Sequence, residues 1–430
     1  MDFKIVDDNK QTQSLTALPA IMQYDFPLAP LLSKLSDLRM YLIAAGSAVE
    51  LFAGIGGFRL GMANANIQTV WANDINELCC KVYESNFGKD SIVLGDINEI
   101  SILDIPNHDI LTAGFPCQPF SPAGKKLGVR DRVRGTLFER IIEILEQKQP
   151  KYFFLENVKR LLTMENGYHF RLIINALSEL DYFIEWRIIS PLSFGIPQNR
   201  DRIFIFGTKL TSTDITPNTL EKLSVFLTKE DNILLPNNEV SLVKYMLPIM
   251  TMKRKNDNWG IAYKNQMFTQ NTSLLPDMKP RKRLQDILQN ESMLDTQFDF
   301  TADTLERIKQ SKPVNRYCNG VEILYNQDGG ARLGYTIFGT NGIASTLTAS
   351  TSRHYERYQV GNKFRRLTNI EYARLMGFPD DWCQVARIYD QYALFGNAIV
   401  PACVEWVCKR IGQTNFELSK SGWQQLTLAI

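Results

Sequence analysis

At 430 residues the chain exceeds the usual span of one compact domain, so two lobes are expected, each with its own buried core. A hydrophobic fraction of 44%, a charged fraction of 22% and an aromatic fraction of 11% exclude an extensively disordered chain. Lys and Arg number 48 against 46 Asp and Glu, a net charge of +2, so a polyanionic partner would have to be met by local basic patches.

The opening MDFKIVDDNKQTQS is polar and acidic and lacks a basic stretch leading into an apolar one. The best apolar run, 41–49, stops at Glu50, too short to span a bilayer. A cytoplasmic protein without membrane contact is the expectation. A weakly amphipathic stretch at 31–42 marks a possible appended helix, and residues 1–47 are taken as an N-terminal extension. From there short apolar runs alternate with helical segments. Strands are predicted at 49–52, 69–72, 92–94, 110–113, 152–155 and 203–206, with helices ending near Tyr83, over 137–147 and near 170–180. That rhythm predicts an α/β fold with a mostly parallel, doubly wound sheet over 48–207. Past Gly207 it fails: 208–361 is richer in Asn, Thr, Pro and basic residues and is expected to be a second, smaller domain. Helical patterns resume at 367–375 and 400–411, so 362–430 is expected to return to the first lobe.

Seven cysteines make no C-x-x-C pair, and with three histidines in all the reading is reduced thiols and no metal site. FAGIGGF, 52–58, stands where a strand should turn into a helix, and its glycines permit a tight turn that a ligand can approach. No Gly-Lys-Ser/Thr follows, which argues against a triphosphate loop. Asp74 and Asp96 end the next two strands, where an acid accepts hydrogen bonds from ribose or caps a helix. Glycine turn and acid alone suit a nicotinamide cofactor as well as S-adenosylmethionine.

Cys117, in GFPCQPFS, lies in the loop after the fourth strand, where open α/β sheets place their sites, and the flanking prolines stiffen it. A thiolate is a soft nucleophile suited to an electron-poor ring carbon. Glu156, in FLENV, ends the neighbouring strand. A carboxyl group there, its pKa raised in a dry pocket, is placed to donate to a ring nitrogen. Basic residues cluster at 253–255, at 279–283, and at Lys125, Lys126, Arg130, Arg132 and Arg134.

The ordered succession FAGIGGF, GDI, GFPCQPFS, RGTLF, FLENV, FGIPQNRDRIF, RRLTNIEYARLMGFP and GNAIVP resembles the motif set of prokaryotic DNA (cytosine-5) methyltransferases of the restriction-modification type. The resemblance covers 49–207 and 363–411. It implies a Rossmann-like, S-adenosylmethionine-dependent methyltransferase fold, with 48–207 as catalytic and cofactor-binding domain and 208–361 as target-recognition domain. Cys117 then matches the nucleophile that bonds to C6 of a flipped-out cytosine, and Glu156 its N3 partner. Arg200 and Arg202 match the arginines that organise the site, Arg202 facing O2 of the base as a donor and the other chiefly a scaffold. Phe52, Gly54, Ile55, Gly56 and Gly57 match the cofactor loop. Asp74 and Ile75 fall at the ribose acid, Asp96 and Ile97 at the adenine contact, and Asn397 near the methionine end.

On the DNA side the resemblance implies Gln118, Ser121, Lys125, Lys126, Arg130 and Thr346, with 121–134 as the mobile loop beside the flipped base. Its further implications are duplex DNA as substrate, a functionally paired restriction endonuclease and a monomeric enzyme. Two positions depart from the pattern: Glu50 replaces the commoner Asp, and Ala398 stands where Ser is frequent. The competing readings are a nicotinamide-dependent oxidoreductase, an idle DNA-binding module, an amino-group methyltransferase and an RNA-modifying relative. The oxidoreductase leaves Cys117 and Glu156 unexplained, the idle module would not need them intact, and no Asn/Asp-Pro-Pro-Tyr element is present for amino-group transfer.

Overall fold

The computed structural model of the protein describes residues 46–116, 137–210, 215–233, 241–251, 257–327, 335–349 and 356–411. Outside them lie the helix expected at 31–42, Cys117, Gln118, Ser121, Lys125, Lys126 and Arg130.

Five strands, β1 (Ser47–Leu51), β2 (Gln68–Asp74), β3 (Val93–Leu94), β4 (Ile110–Gly114) and β5 (Tyr152–Val158), pair in parallel in the order β3-β2-β1-β4-β5. Val49, Leu51, Leu111, Ala113, Phe153 and Leu155 are all fully buried, as strands covered on both faces require. The connecting helices are α1 (Gly57–Ala63), α2 (Glu77–Phe87), α3 (Leu137–Lys148) and α4 (Tyr168–Ser178). In α3 the apolar spacing Phe138, Ile141, Ile142, Leu145 makes one stripe, and all four side chains are buried. Burying each contributes roughly 1.5–3 kcal/mol, so packing rather than propensity holds this helix.

Beyond β5 come β6 (Tyr182–Ile189) and β7 (Arg202–Lys209), with β7 inserted antiparallel between β5 and β6. The apolar runs do not announce β6, because Glu185 and Arg187 interrupt it. Both are buried and paired. Arg187 donates to both carboxylate oxygens of Asp231 at 2.6 and 2.9 Å, and Glu185 accepts from Ser224, the Val225 amide and the Trp259 indole.

The sheet does not end at the expected boundary near 208. After α5 (Pro217–Leu223) the chain forms β8 (Leu247–Pro248), β9 (Trp259–Tyr263) and β10 (Gln266–Gln270). β9 pairs with the open edge of β6, β10 with β9 and β8 with β10, so the sheet reaches ten strands. An uncovered β6 edge would expose unpaired backbone groups, and this hairpin closes it. The later part of the segment, after α6 (Ala302–Lys309), together with residues just past its expected end, forms a separate five-stranded sheet in the order β11 (Lys312–Cys318), β12 (Val321–Asn326), β13 (Thr336–Phe338), β14 (Arg357–Val360) and β15 (Lys363–Arg365).

Three helices follow: α7 (Asn369–Met376), α8 (Ile388–Asn397) and α9 (Pro401–Cys408). Thr368 caps α7 through the Glu371 amide, and Glu371 returns a bond to the Thr368 amide. Among the described residues no helix is long and apolar enough to cross a membrane.

Candidate active site

Parallel strands deliver their carboxyl ends to one edge, and strand order reverses between β1 and β4, which opens a cleft there. The loop leaving β1 bends through positive φ at Phe52 (53°), Gly54 (55°) and Gly56 (85°). Its conformation is held by Asp74, whose carboxylate accepts from the Gly54 amide at 2.8 Å and from the Asn76 amide at 2.8 Å. The cap of α2 is therefore Asn76, which accepts from the Leu78 and Cys79 amides, rather than Asp74 itself. Asn73 donates to the carbonyls of Val93 and Gly95, both at 2.9 Å, and so sets the approach of Asp96. Asp96 closes its own turn by accepting from the Asn98 amide.

Two cavities adjoin at Phe52. One, about 450 Å³, is lined by Phe52, Asp74, Ile75, Asp96, Ile97 and Leu137 among others. The second, about 280 Å³, is bordered by Gly54, Ile55, Gly57, Glu156 and Asn397. Gly56 borders neither. A side chain there would come within 2.4 Å of Phe87, so this glycine serves the turn and its packing. At Gly57 a Cβ would come within 2.4 Å of the Ile399 carbonyl oxygen, so its absence lets the chain after α8 close against the loop. The Trp382 indole adds a bond to the Ile55 carbonyl at 2.9 Å.

Sequence reasoning missed Asp390, Ala393 and Leu394 of α8, and Pro116 and Leu137, all of which border these cavities. The available signal for α8 was Ile388, Tyr392 and Phe395 at helical spacing ahead of Asn397.

Glu50, on β1 beneath the loop, is fully buried and accepts from the Tyr83 hydroxyl at 2.8 Å. Burial pushes its carboxyl from the ordinary 4.5 up to about 8, against the pull of Tyr83 and Arg59. The folded pKa lies above the unfolded one, so this contribution to stability is complete below about 4.5 and is lost as pH rises through about 8. Glu50→Gln keeps the acceptor and removes the titration. Thermal melts should find the variant gaining on the parent between pH 5 and pH 9, by an amount on the order of a few kcal/mol at most.

At the tip of β5, Asn157 is buried and donates to the Phe115 carbonyl at 2.9 Å, while its own oxygen takes the Val158 amide at 2.8 Å. This ties β5 to the residue two before Cys117. Asn157→Ala should lower stability by about 1–3 kcal/mol, because the Phe115 carbonyl loses its partner. It should also slow turnover at unchanged cofactor affinity, which stopped-flow kinetics with ligand titration would separate.

Glu156 stands opposite Gly114 on β4 and is 8% exposed. Burial raises its carboxyl above the usual range, opposing Arg202 and Arg200. The antiparallel course of β7 makes Arg202 its first residue and brings it to the same edge, where its Nε lies 3.1 Å from Glu156 Oε1. Arg200 is directed elsewhere: it donates to the carbonyls of Leu347 (3.0 Å), Gly396 (2.9 Å) and Ala398 (2.8 Å). Burial lowers its pKa to about 9. It fastens the loop before β7 to the Leu347 segment and to the end of α8. The Thr346 hydroxyl donates to the Asn199 carbonyl, and Gln198 bridges to Ala344.

A switch-point cleft with acids at two successive strand ends, on a seven-stranded parallel core with one reversed strand, defines the Rossmann-like fold of S-adenosylmethionine-dependent methyltransferases. The family model described as "C-5 cytosine-specific DNA methylase" matches residues 46–413; the chain belongs to that family and is a DNA (cytosine-5) methyltransferase. The type II methyltransferase M.HhaI of Haemophilus parahaemolyticus is 30% identical over 86% of this chain and 95% of its own. The type II methyltransferase M.NgoBI of Neisseria gonorrhoeae is 51% identical over 37% of this chain, and that match spans about half of its length, 49%. In fold the chain is similar to the crystal structure of the S. pombe Dnmt2 methyltransferase, with a TM-score of 0.56 at 19% identity, covering 85% of this chain and 98% of that one.

Proposed function

We propose that the protein methylates C5 of a cytosine flipped out of a specific duplex DNA sequence, through a covalent bond between Cys117 and C6. The observation that carries this reading is the buried Glu156 with Arg202 at 3.1 Å, at the strand tip beside the one that leads to Cys117. Stacked cytosine hides both reacting carbons, so the nucleotide must leave the helix at a cost of a few kcal/mol that pocket contacts repay. Glu156 donates to N3 and Arg202 to O2, which draws electrons from the ring and exposes C6 to the Cys117 thiolate. Addition breaks the C5–C6 double bond and leaves C5 nucleophilic. The cleft suits S-adenosylmethionine in shape and donor set: Asp74 and Asp96 offer acceptors to hydroxyl and amine groups, Ile75 and Ile97 apolar walls, and the loop at Gly54 and Asn397 polar groups for the methionine end. When bound, this cofactor supplies an electrophilic methyl group. Loss of the C5 proton then expels the Cys117 thiolate and restores the ring.

The segment 208–361 would carry target recognition, its basic clusters meeting phosphates and its Arg, Asn and Gln side chains reading bases. The relatives described as type II methyltransferases support a role in a restriction-modification system; a cognate endonuclease as functional partner and a monomeric cytoplasmic enzyme complete the proposal. Sequencing 5-methylcytosine in a host that expresses the protein tests the reading: modification should appear in DNA at one short motif. Methylated RNA with unmodified DNA, or methylation at a base nitrogen, would overturn it.

A further inference from the structure

We infer that Lys159 and Asp201 form a positioning pair that holds Arg202 against Glu156. This rests on the assignment of Glu156 and Arg202 to the target base. The β5–β7 ladder runs Glu156 to Phe204, Asn157 to Ile203 and Val158 to Arg202, and there the regular pairing ends. The next residues outward would be Lys159 and Asp201. They are joined by their side chains, Lys159 Nζ to Asp201 Oδ2 at 2.9 Å, just where β5 turns into a short 3₁₀ helix, Lys159–Leu162.

The reach from Arg202 to Glu156 is diagonal, two positions down the partner strand, a span that a long side chain covers only from a fixed direction. Arg202 takes that direction from two contacts: its Nε lies 3.1 Å from Glu156 Oε1, and its Nη1 donates to the Asp201 carbonyl at 3.0 Å. Both the guanidinium and the lysine are thus anchored on Asp201, the one through its backbone and the other through its side chain. Freeing the Asp201 carboxylate loosens the peptide that orients Arg202, the terminal residue of the pairings with both β5 (Val158) and β6 (Ile189). The pair is 56% and 28% exposed, so its effect is modest and kinetic, not a condition for folding.

The test uses the full-length enzyme and steady-state methylation, read as kcat and KM, of a duplex carrying the motif that 5-methylcytosine sequencing identifies. Lys159→Asp and Asp201→Lys should each lower kcat by about three- to fivefold, the range that an exposed ion pair supports, and the double exchange should recover at least half of the loss. Should Lys159 instead contact a DNA phosphate, Lys159→Asp would raise KM for DNA, and the exchange would give no rescue. That result overturns the inference, as does unchanged kcat in both single variants. Asp201→Asn, nearly isosteric, carries the same kcat expectation if the exchanged chain folds poorly. Failure of the underlying assignment is distinguishable, because Glu156→Gln would then leave the rate intact whatever the pair does.

Discussion

Replacing Cys117 by Ala should abolish methyl transfer, by at least about 10³–10⁴-fold, while cofactor affinity stays within about twofold. The separation follows from placement. The cavities proposed for the cofactor are lined mainly from the ends of β1, β2 and α8 and the loop after β3; the end of β4 adds Gly114 and Pro116, the residue before Cys117, and β5 adds Glu156. Removing one sulfur atom leaves the walls near Asp74 and Asn397 untouched. DNA methylation by scintillation counting and cofactor affinity by calorimetry, made on one preparation, would check both halves. Retained turnover would remove covalent catalysis from the account.

Glu156→Gln should slow methylation by about 10²–10³-fold with duplex binding nearly unchanged. Glutamine keeps the volume and a hydrogen bond at N3 but has no proton to give. It also leaves Arg202 Nε an uncharged neighbour at a site where both side chains are mostly buried. The pH profile carries the sign of the effect. Burial raises the Glu156 carboxyl, so its protonated form persists above the usual carboxylate range and is lost as pH rises through the folded value. The parent rate should therefore fall on an alkaline limb governed by this group, and the limb should vanish in the variant. A variant with parental turnover would strip Glu156 of its assigned role.

The strand-tip position of Glu156 was legible in the sequence because strand-end loops in a parallel sheet combine short apolar runs with chemistry-bearing residues, and order along the chain maps onto adjacency in the sheet; Cys117 lies outside the described residues. Glu156 and Gly114 face each other because FLENV and GFPC end neighbouring strands. Elements built on buried charge were not legible. In β6, Glu185 and Arg187 interrupt the apolar run, and each is buried by partners from 224–231 and 259, distances along the chain that no local pattern reports. The hairpin of β9 and β10 was missed for a related cause: it completes the sheet edge left by β6, so its place depends on an element itself hidden. The motif gives Arg200, beside Arg202, chiefly as a scaffold, and the fold turns it toward three carbonyls from Leu347, Gly396 and Ala398, partners that no local pattern names. Residues lining the cleft from α8 escaped because their spacing belongs to an ordinary amphipathic helix.

The most direct measurement is covalent trapping. Duplex DNA carrying 5-fluorocytosine at the target position has no C5 proton to lose, so an addition complex that has received its methyl group cannot break down. Incubated with this DNA and S-adenosylmethionine, the enzyme should yield a denaturation-resistant complex whose peptide mass map places the adduct on Cys117. Complete methylation of ordinary substrate by the same preparation, with no adduct at that cysteine on the fluorinated duplex, would contradict the account.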